Sequence, residues 1–246
     1  MEVIRIRLYG GLNDLVPEAS RHRDIARPFF LARSAKDAIE SLGVPHTEVD
    51  LILVNGEPVG LEHLLVAGDR VSVYPPFRSL DLSGLPRVQP PRPAEARFVL
   101  DTHLGRLATY LRMLGFDARY ANDATDEDLA ASSANDARIL LTRDRGLLKR
   151  TAVRHGYLVR SANPREQLVE ILQRYDLHAA VAPFSRCLHC NAPLRRAETA
   201  DVEDRVPPRT REVFHDYALC PACGRVYWPG SHYDHMRRLI DWALSR

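Results

Sequence analysis

Between residues 97 and 175, short unbroken apolar runs alternate with stretches of helical periodicity. No other feature of this chain limits its fold so tightly. Phe98–Leu100 and the run "ILLT" are continuously apolar, as strands buried on both faces should be. "FDARYA" and "GYLVRS" read as two further strands. After the first strand, Leu104, Leu107, Ala108, Leu111 and Leu114 recur at helical spacing, and Gly115 stands where a C′ glycine belongs. "NDATDEDLAASSANDA" supplies a turn and a second helix, with Thr125 three positions before Asp128 in a capping-box-like arrangement. "NPREQLVEILQRYDL" makes a third helix, with Pro164 near its N1 position. Strand and helix in alternation predict an α/β fold, a parallel sheet with flanking helices.

In open sheets of this kind, ligands bind outside the carboxyl ends of the strands. Asp101 directly follows the first strand, Asp144 follows "RILLT", and Asp126 opens the helix between them, so all three are expected at that edge. Carboxylates held close together repel, and one would take up a proton unless a cation intervened. Mg²⁺ or Mn²⁺ would remove that conflict while keeping waters for in-line attack on a phosphate. Arg143, Arg145, Lys149 and Arg150 flank Asp144, and Arg106 and Arg112 lie on the helix after Asp101. They are candidate phosphate clamps. Taken singly, each acid has a plainer reading: Asp126 as a cap, Glu127 and Asp128 as first-turn acids, Asp123 as a turn residue. The combination favours a metal site.

The flanks differ in character. Residues 1–80 open with the alternating strand "EVIRIRLYG". A helix follows, capped by Ser34, with Ala35, Ala38, Ile39 and Leu42 on one face and Gly43 at its end. Asn55-Gly56 is a hairpin turn signal, and "DRVSVYPPF" is a last strand. This predicts a small α+β domain. Residues 81–96 are proline-rich and read as a semi-rigid linker. The sheet segment then spans 97–180, and a cysteine segment spans 181–246. Cys187-x-x-Cys190 and Cys220-x-x-Cys223 place four thiolates within reach of one tetrahedral Zn²⁺, a closed and therefore structural site. Beyond them, Tyr227, Trp228, His232, Tyr233 and His235 stand near Arg237 and Arg238. Rings beside arginines can stack bases, or can pack the cysteine segment against the rest of the chain.

Composition adds exclusions. The net charge is only +2, so charge alone does not announce a nucleic-acid partner. All basic residues but Lys36 and Lys149 are arginine, which makes any anion site one of guanidinium forks. No apolar run approaches the roughly 20 residues that cross a bilayer. The alternating N-terminus is no signal-peptide core, and a cytoplasmic protein is expected.

"FVLDTHLGRLATYLRMLGFDA", "TDEDLAASSANDARILLTRDRGLLKR" and "CPACGRVYWPGSHYDHM" resemble the Mut-seven C-terminal RNase domain family, a branch of the PIN-like nucleases, over roughly residues 95–240. The resemblance implies a metal-dependent ribonuclease. Asp101, Asp126 and Asp144 map onto its acids, and Asp123 is the nearest candidate for a fourth. "LILVNGEPV" and "LLVAGDRVSVYPPF" resemble the ubiquitin-like β-grasp sulfur carriers. Such a module in front of the nuclease is a recurrent arrangement in the family. Carriers end in a free diglycine, whereas here Tyr74-Pro75-Pro76-Phe77 runs on into the linker. The resemblance therefore implies the fold, and a protein partner, without the carrier chemistry. Two other readings are a non-catalytic RNA-binding adaptor and a β-grasp partner protein in sulfur transfer. The intact acids disfavour the first and the missing diglycine the second.

Overall fold

The computed structural model describes residues 2–77, 84, 87–91 and 93–246. Most of the proline-rich stretch 78–86, and with it part of the expected linker, lies outside the described residues. In the N-terminal domain, β1 (Val3–Leu8) pairs antiparallel with β2 (Asp24–Pro28), a strand that apolar patterning does not signal. A two-residue ladder, β3 (Arg33–Ser34) with β6 (Leu64–Leu65), lies beside α1 (Ala35–Glu40). The Ser34 side chain caps α1 by accepting from the Asp37 N–H at 3.1 Å. β4 (Leu51–Val54) and β5 (Glu57–Val59) form the expected hairpin, with Asn55 at φ 52° and Gly56 at φ 95°. Both central residues are left-handed, as a type I′ turn demands. β7 (Arg70–Tyr74) runs parallel to β1 and antiparallel to β4, giving the order β2-β1-β7-β4-β5. Ile4, Ile6, Ala38, Ile39, Ile52 and Val73 are fully buried between this sheet and α1.

The alternating segment follows its apolar pattern. β8 (Arg97–Leu100) leads through a 3₁₀ turn into α2 (Gly105–Met113), then β9 (Asp117–Tyr120). α3 (Asp126–Asn135), β10 (Ile139–Thr142), α4 (Arg145–Leu148), β11 (Gly156–Leu158) and α5 (Pro164–Tyr175) complete it. β8 pairs in parallel with β9, and β10 in parallel with β11. Every residue of β10 and β11 is buried, which is why neither strand alternates. Gly115 ends α2 at φ 95°, and Asn163 caps α5 with Pro164 at its first turn.

Thr125 and Asp128 form a complete capping box at the start of α3: each side chain accepts the other's backbone N–H, at 3.2 and 3.1 Å. These hydrogen bonds, the Thr125 hydroxyl foremost, hold the Asp128 carboxyl below its usual range. Thr125→Ala should cost about 1 kcal/mol in denaturant unfolding and return the Asp128 titration, followed by NMR, towards that of a free carboxyl. The box stabilises α3 while Asp128 is ionised. Its contribution is present above the ordinary carboxylate pKa and is lost as pH falls through the lowered folded value.

The C-terminal region carries a three-stranded sheet of β12 (Arg195–Ala197), β13 (Tyr217–Leu219) and β14 (Val226–Tyr227), with β13 central and both pairings antiparallel. Two short helices, α6 (Thr199–Val202) and α7 (Pro208–Val213), fill the long spacer between the cysteine pairs, and α8 (Ser231–Leu244) follows β14. Its small core is Ala197, Val202, Val206, Tyr217 and Leu219, with Phe214, Val226 and Trp228 packed against it. By packing, the chain forms two compact units, residues 1–94 with 125–158, and residues 95–124 with 159–246. No helix among the described residues is long and apolar enough to cross a membrane.

Candidate functional site

Each predicted acid occupies a helix-start position. Asp101 follows β8 with extended backbone and caps the 3₁₀ turn. Its Oδ1 accepts from the Thr102 N–H at 2.6 Å, and its Oδ2 lies 3.5 Å from Nε2 of His103. The residue is buried. The Tyr120 hydroxyl, at the end of β9, reaches the Thr102 carbonyl at 2.6 Å. Gly105 makes room for that ring, since a Cβ there would come within 2.6 Å of the Tyr120 oxygen. Asp144 follows β10. Its N–H donates to Oγ1 of Thr142 at 2.9 Å, and its Oδ1 caps α4 by accepting from the Gly146 N–H at 2.6 Å. Asp126 is the first residue of α3 and lies 3.6 Å from Nη2 of Arg150. Asp123 is exposed in the turn before it. Asp126 and Asp144 belong to one compact unit and Asp101 to the other.

The basic residues divide into groups. Arg106 is exposed on the first turn of α2, and Arg143 is exposed between β10 and Asp144. Arg145 Nη1 donates to the Leu15 carbonyl at 2.8 Å, and Lys149 Nζ donates to the Glu40 carbonyl at 2.7 Å. Both therefore tie α4 to the N-terminal domain. His46 Nε2 sits 3.1 Å from the Val153 carbonyl, and Glu48 Oε1 accepts from the Leu158 N–H at 2.7 Å. These buried links join the same parts, and nothing in linear pattern announced them.

Arg112 departs from its expected role. It is buried, its Nε donates to the Ala118 carbonyl at 2.8 Å, and its Nη1 donates to Leu188 and His189 carbonyls at 3.1 and 2.7 Å. It braces the loop between Cys187 and Cys190 and is no phosphate clamp. The signal was legible: Leu104, Ala108 and Arg112 stand four residues apart on one helix face, so the arginine had to be buried. Burial lowers its pKa, while the nearby Cys187 and Cys190 sulfurs favour its charge. Arg112→Met should strip three carbonyls of their donor and destabilise the fold by about 3 kcal/mol, read from urea unfolding.

The four cysteines converge as predicted. Their sulfurs all lie within 4.8 Å of one another, with Cys187–Cys223 at 3.6 Å and Cys190–Cys220 at 3.3 Å. A tetrahedral Zn²⁺ with bonds of about 2.3 Å separates its sulfurs by about 3.8 Å, so the cluster could hold the ion. All four are free thiols. The Cys190 N–H and the Tyr227 hydroxyl both point at Cys187 Sγ, at 3.4 and 3.1 Å. Burial pushes the Cys187 thiol up, but these donors and the His189 N–H bring it down to about 6. At Cys190 the Ala192 N–H favours the thiolate, yet burial and the neighbouring thiols push it up to about 12. One thiolate is welcome here and a second is resisted, the situation that a divalent cation resolves.

An N-terminal mixed sheet, parallel strand pairs followed by capping acids, and a four-cysteine cluster together define a multidomain α/β protein. Residues 96–240 match the Mut7-C RNAse domain and residues 1–81 match the Mut7-C ubiquitin domain. The chain belongs to the Mut7-C RNAse domain family. No curated protein and no solved structure matches it significantly.

Proposed function

We propose that the chain is a ribonuclease that uses Mg²⁺ or Mn²⁺ held by Asp101, Asp126 and Asp144, with a structural Zn²⁺ in its C-terminal ribbon. The family match over residues 96–240 carries this reading. The acid positions support it, since each stands at the carboxyl end of a strand or the start of a helix. The divalent ion would supply Lewis-acid stabilisation of the phosphate and an activated water. The chain's own part is to fix the acids. The Thr102 and Gly146 amides each anchor one carboxylate oxygen of Asp101 and Asp144, which sets the direction of the other. Arg106, Arg143, Arg145 and Lys149 bind phosphate oxygens. Arg145 and Lys149 each spend one donor on the N-terminal domain and have others to offer, so that domain positions them.

Exposed Phe30, Leu31, Leu64 and Val66 give the ubiquitin-like domain an apolar surface for a protein partner. Four clustered free thiols suit a reducing compartment, in line with a cytoplasmic location. The test uses labelled single-stranded and structured RNA. Cleavage should stop with chelator and return with Mg²⁺ or Mn²⁺ while zinc stays bound. RNA that is bound yet left whole under both metals would replace this reading with that of an adaptor.

A further inference from the structure

A cavity of about 210 Å³ opens between the ribbon sheet and α8. It is smaller than the roughly 300–1,000 Å³ that accommodates drug-sized ligands, and suits a single planar ring system. Its walls are aromatic and come from three separate elements: Phe184 from the segment before the first knuckle, Trp228 after β14, and Tyr233 on α8, with Tyr217 of β13 behind them. Tyr217 belongs to the ribbon core and Trp228 packs against it. Phe184 and Tyr233 lie with ring centroids 4.8 Å apart and planes 33° apart.

Phe184 is also strained. Its φ of 59° is left-handed, a conformation that bulky residues rarely adopt, and its N–H is tied to the Met113 carbonyl at 2.9 Å. Strain of this kind persists where the surroundings enforce it and clusters at binding sites. Here it turns a ring into the cavity. Arginines border the same space. Arg186 is held by the Gly115 and Asn191 carbonyls at 3.1 and 2.9 Å. Arg196 makes an exposed 3.1 Å pair with Asp216. An exposed pair contributes little, so Arg196 can exchange its carboxylate for a phosphate.

We propose that this cavity takes one unstacked base of a single-stranded RNA, stacked against Trp228 beside the paired Phe184 and Tyr233 rings, with the adjoining phosphate on Arg196. Stacked rings with a guanidinium alongside are the chemistry that holds single-stranded nucleic acid without reading its sequence. Asp101, Asp126 and Asp144, the carboxylates assigned to hydrolysis, are not among its lining residues. It rests on the nuclease reading only for the source of its RNA.

The test uses full-length Asp144→Asn protein, so that RNA stays whole, and measures binding of a short single-stranded RNA against an abasic ribose-phosphate strand of equal length. The base-bearing strand should bind about tenfold more tightly or better, and should quench tryptophan emission in a way that Trp228→Phe abolishes and Trp242→Phe does not. Tyr233→Ala should remove most of that preference. Phe184→Gly should do the same while relieving the backbone strain, which guards against a mere folding defect; zinc content and circular dichroism check this. Equal affinity for the two strands, or an undiminished preference in both ring variants, overturns the proposal. Base-dependent binding by a wild-type chain that never cuts would sustain the cavity and remove the nuclease. Cutting without base preference would do the reverse.

Discussion

Cys220→Ser should abolish zinc binding and unfold the ribbon. Cys220 closes β13, is fully buried, and lies 3.3 Å from the Cys190 sulfur. A serine there offers a harder, protonated ligand and leaves a hydroxyl in a dry position. The ribbon has few means of compensating, because its core is five buried residues with three more packed against it. Structural zinc binding is worth about 10–16 kcal/mol at neutral pH, as much as the whole stability of an ordinary domain. The damage should reach α2, since the Leu188 and His189 carbonyls that receive Arg112 belong to the other knuckle, Cys187–Cys190, which would share the same ion. Elemental analysis of the wild type should find close to one zinc per chain, and the variant none. Limited proteolysis should then open residues 181–246. A variant that keeps its metal, or a wild type that never binds any, would refute the ribbon.

Asp144→Asn should keep the fold and lose the cleavage. Asparagine is as good an N-cap as aspartate, and its side-chain oxygen can still receive the Gly146 amide that Oδ1 receives at 2.6 Å. What disappears is the negative charge proposed to hold the cation. Altering groups that merely orient a ligand commonly costs about 10–100-fold, so loss of a direct ligand should exceed about 100-fold in kcat/KM. Unfolding curves should coincide with wild type to within about 0.5 kcal/mol. Unchanged cleavage in a chain free of contaminating nuclease would take Asp144 out of the metal site. The conservative Asp144→Glu retains the charge but moves it by a methylene, and partial activity there would separate the charge from the cap.

Lys149 shows how far linear pattern reaches. Beside Asp144, among arginines, it reads as a phosphate clamp, and nothing nearby points to the Glu40 carbonyl that it also meets across more than a hundred residues. Arg145 and Leu15 make the same point. The sorting of residues 125–158 with the N-terminal domain follows from such links, and they are made by single side chains meeting backbone oxygens. These contacts leave no periodic trace. Arg112 is the intermediate case: helical spacing placed it on the buried face, but only the fold supplied the three carbonyls that make burial tolerable.

What was readable beforehand had a local cause. Fully buried strands need unbroken apolar runs, so β8 and β10 were visible. Capping needs specific side chains at specific offsets, so Ser34 and Thr125 mark their helices, as Pro164 does from the first turn of its own. Tetrahedral thiolate binding needs paired cysteines, so the ribbon announced itself through Cys187, Cys190, Cys220 and Cys223. The edge strand β2, the anchoring of Arg145 and Lys149, and the aromatic cavity behind Phe184 were decided only when the chain closed on itself. Periodicity records how a segment meets its own turn or strand, whereas these features depend on which distant segment comes to lie opposite.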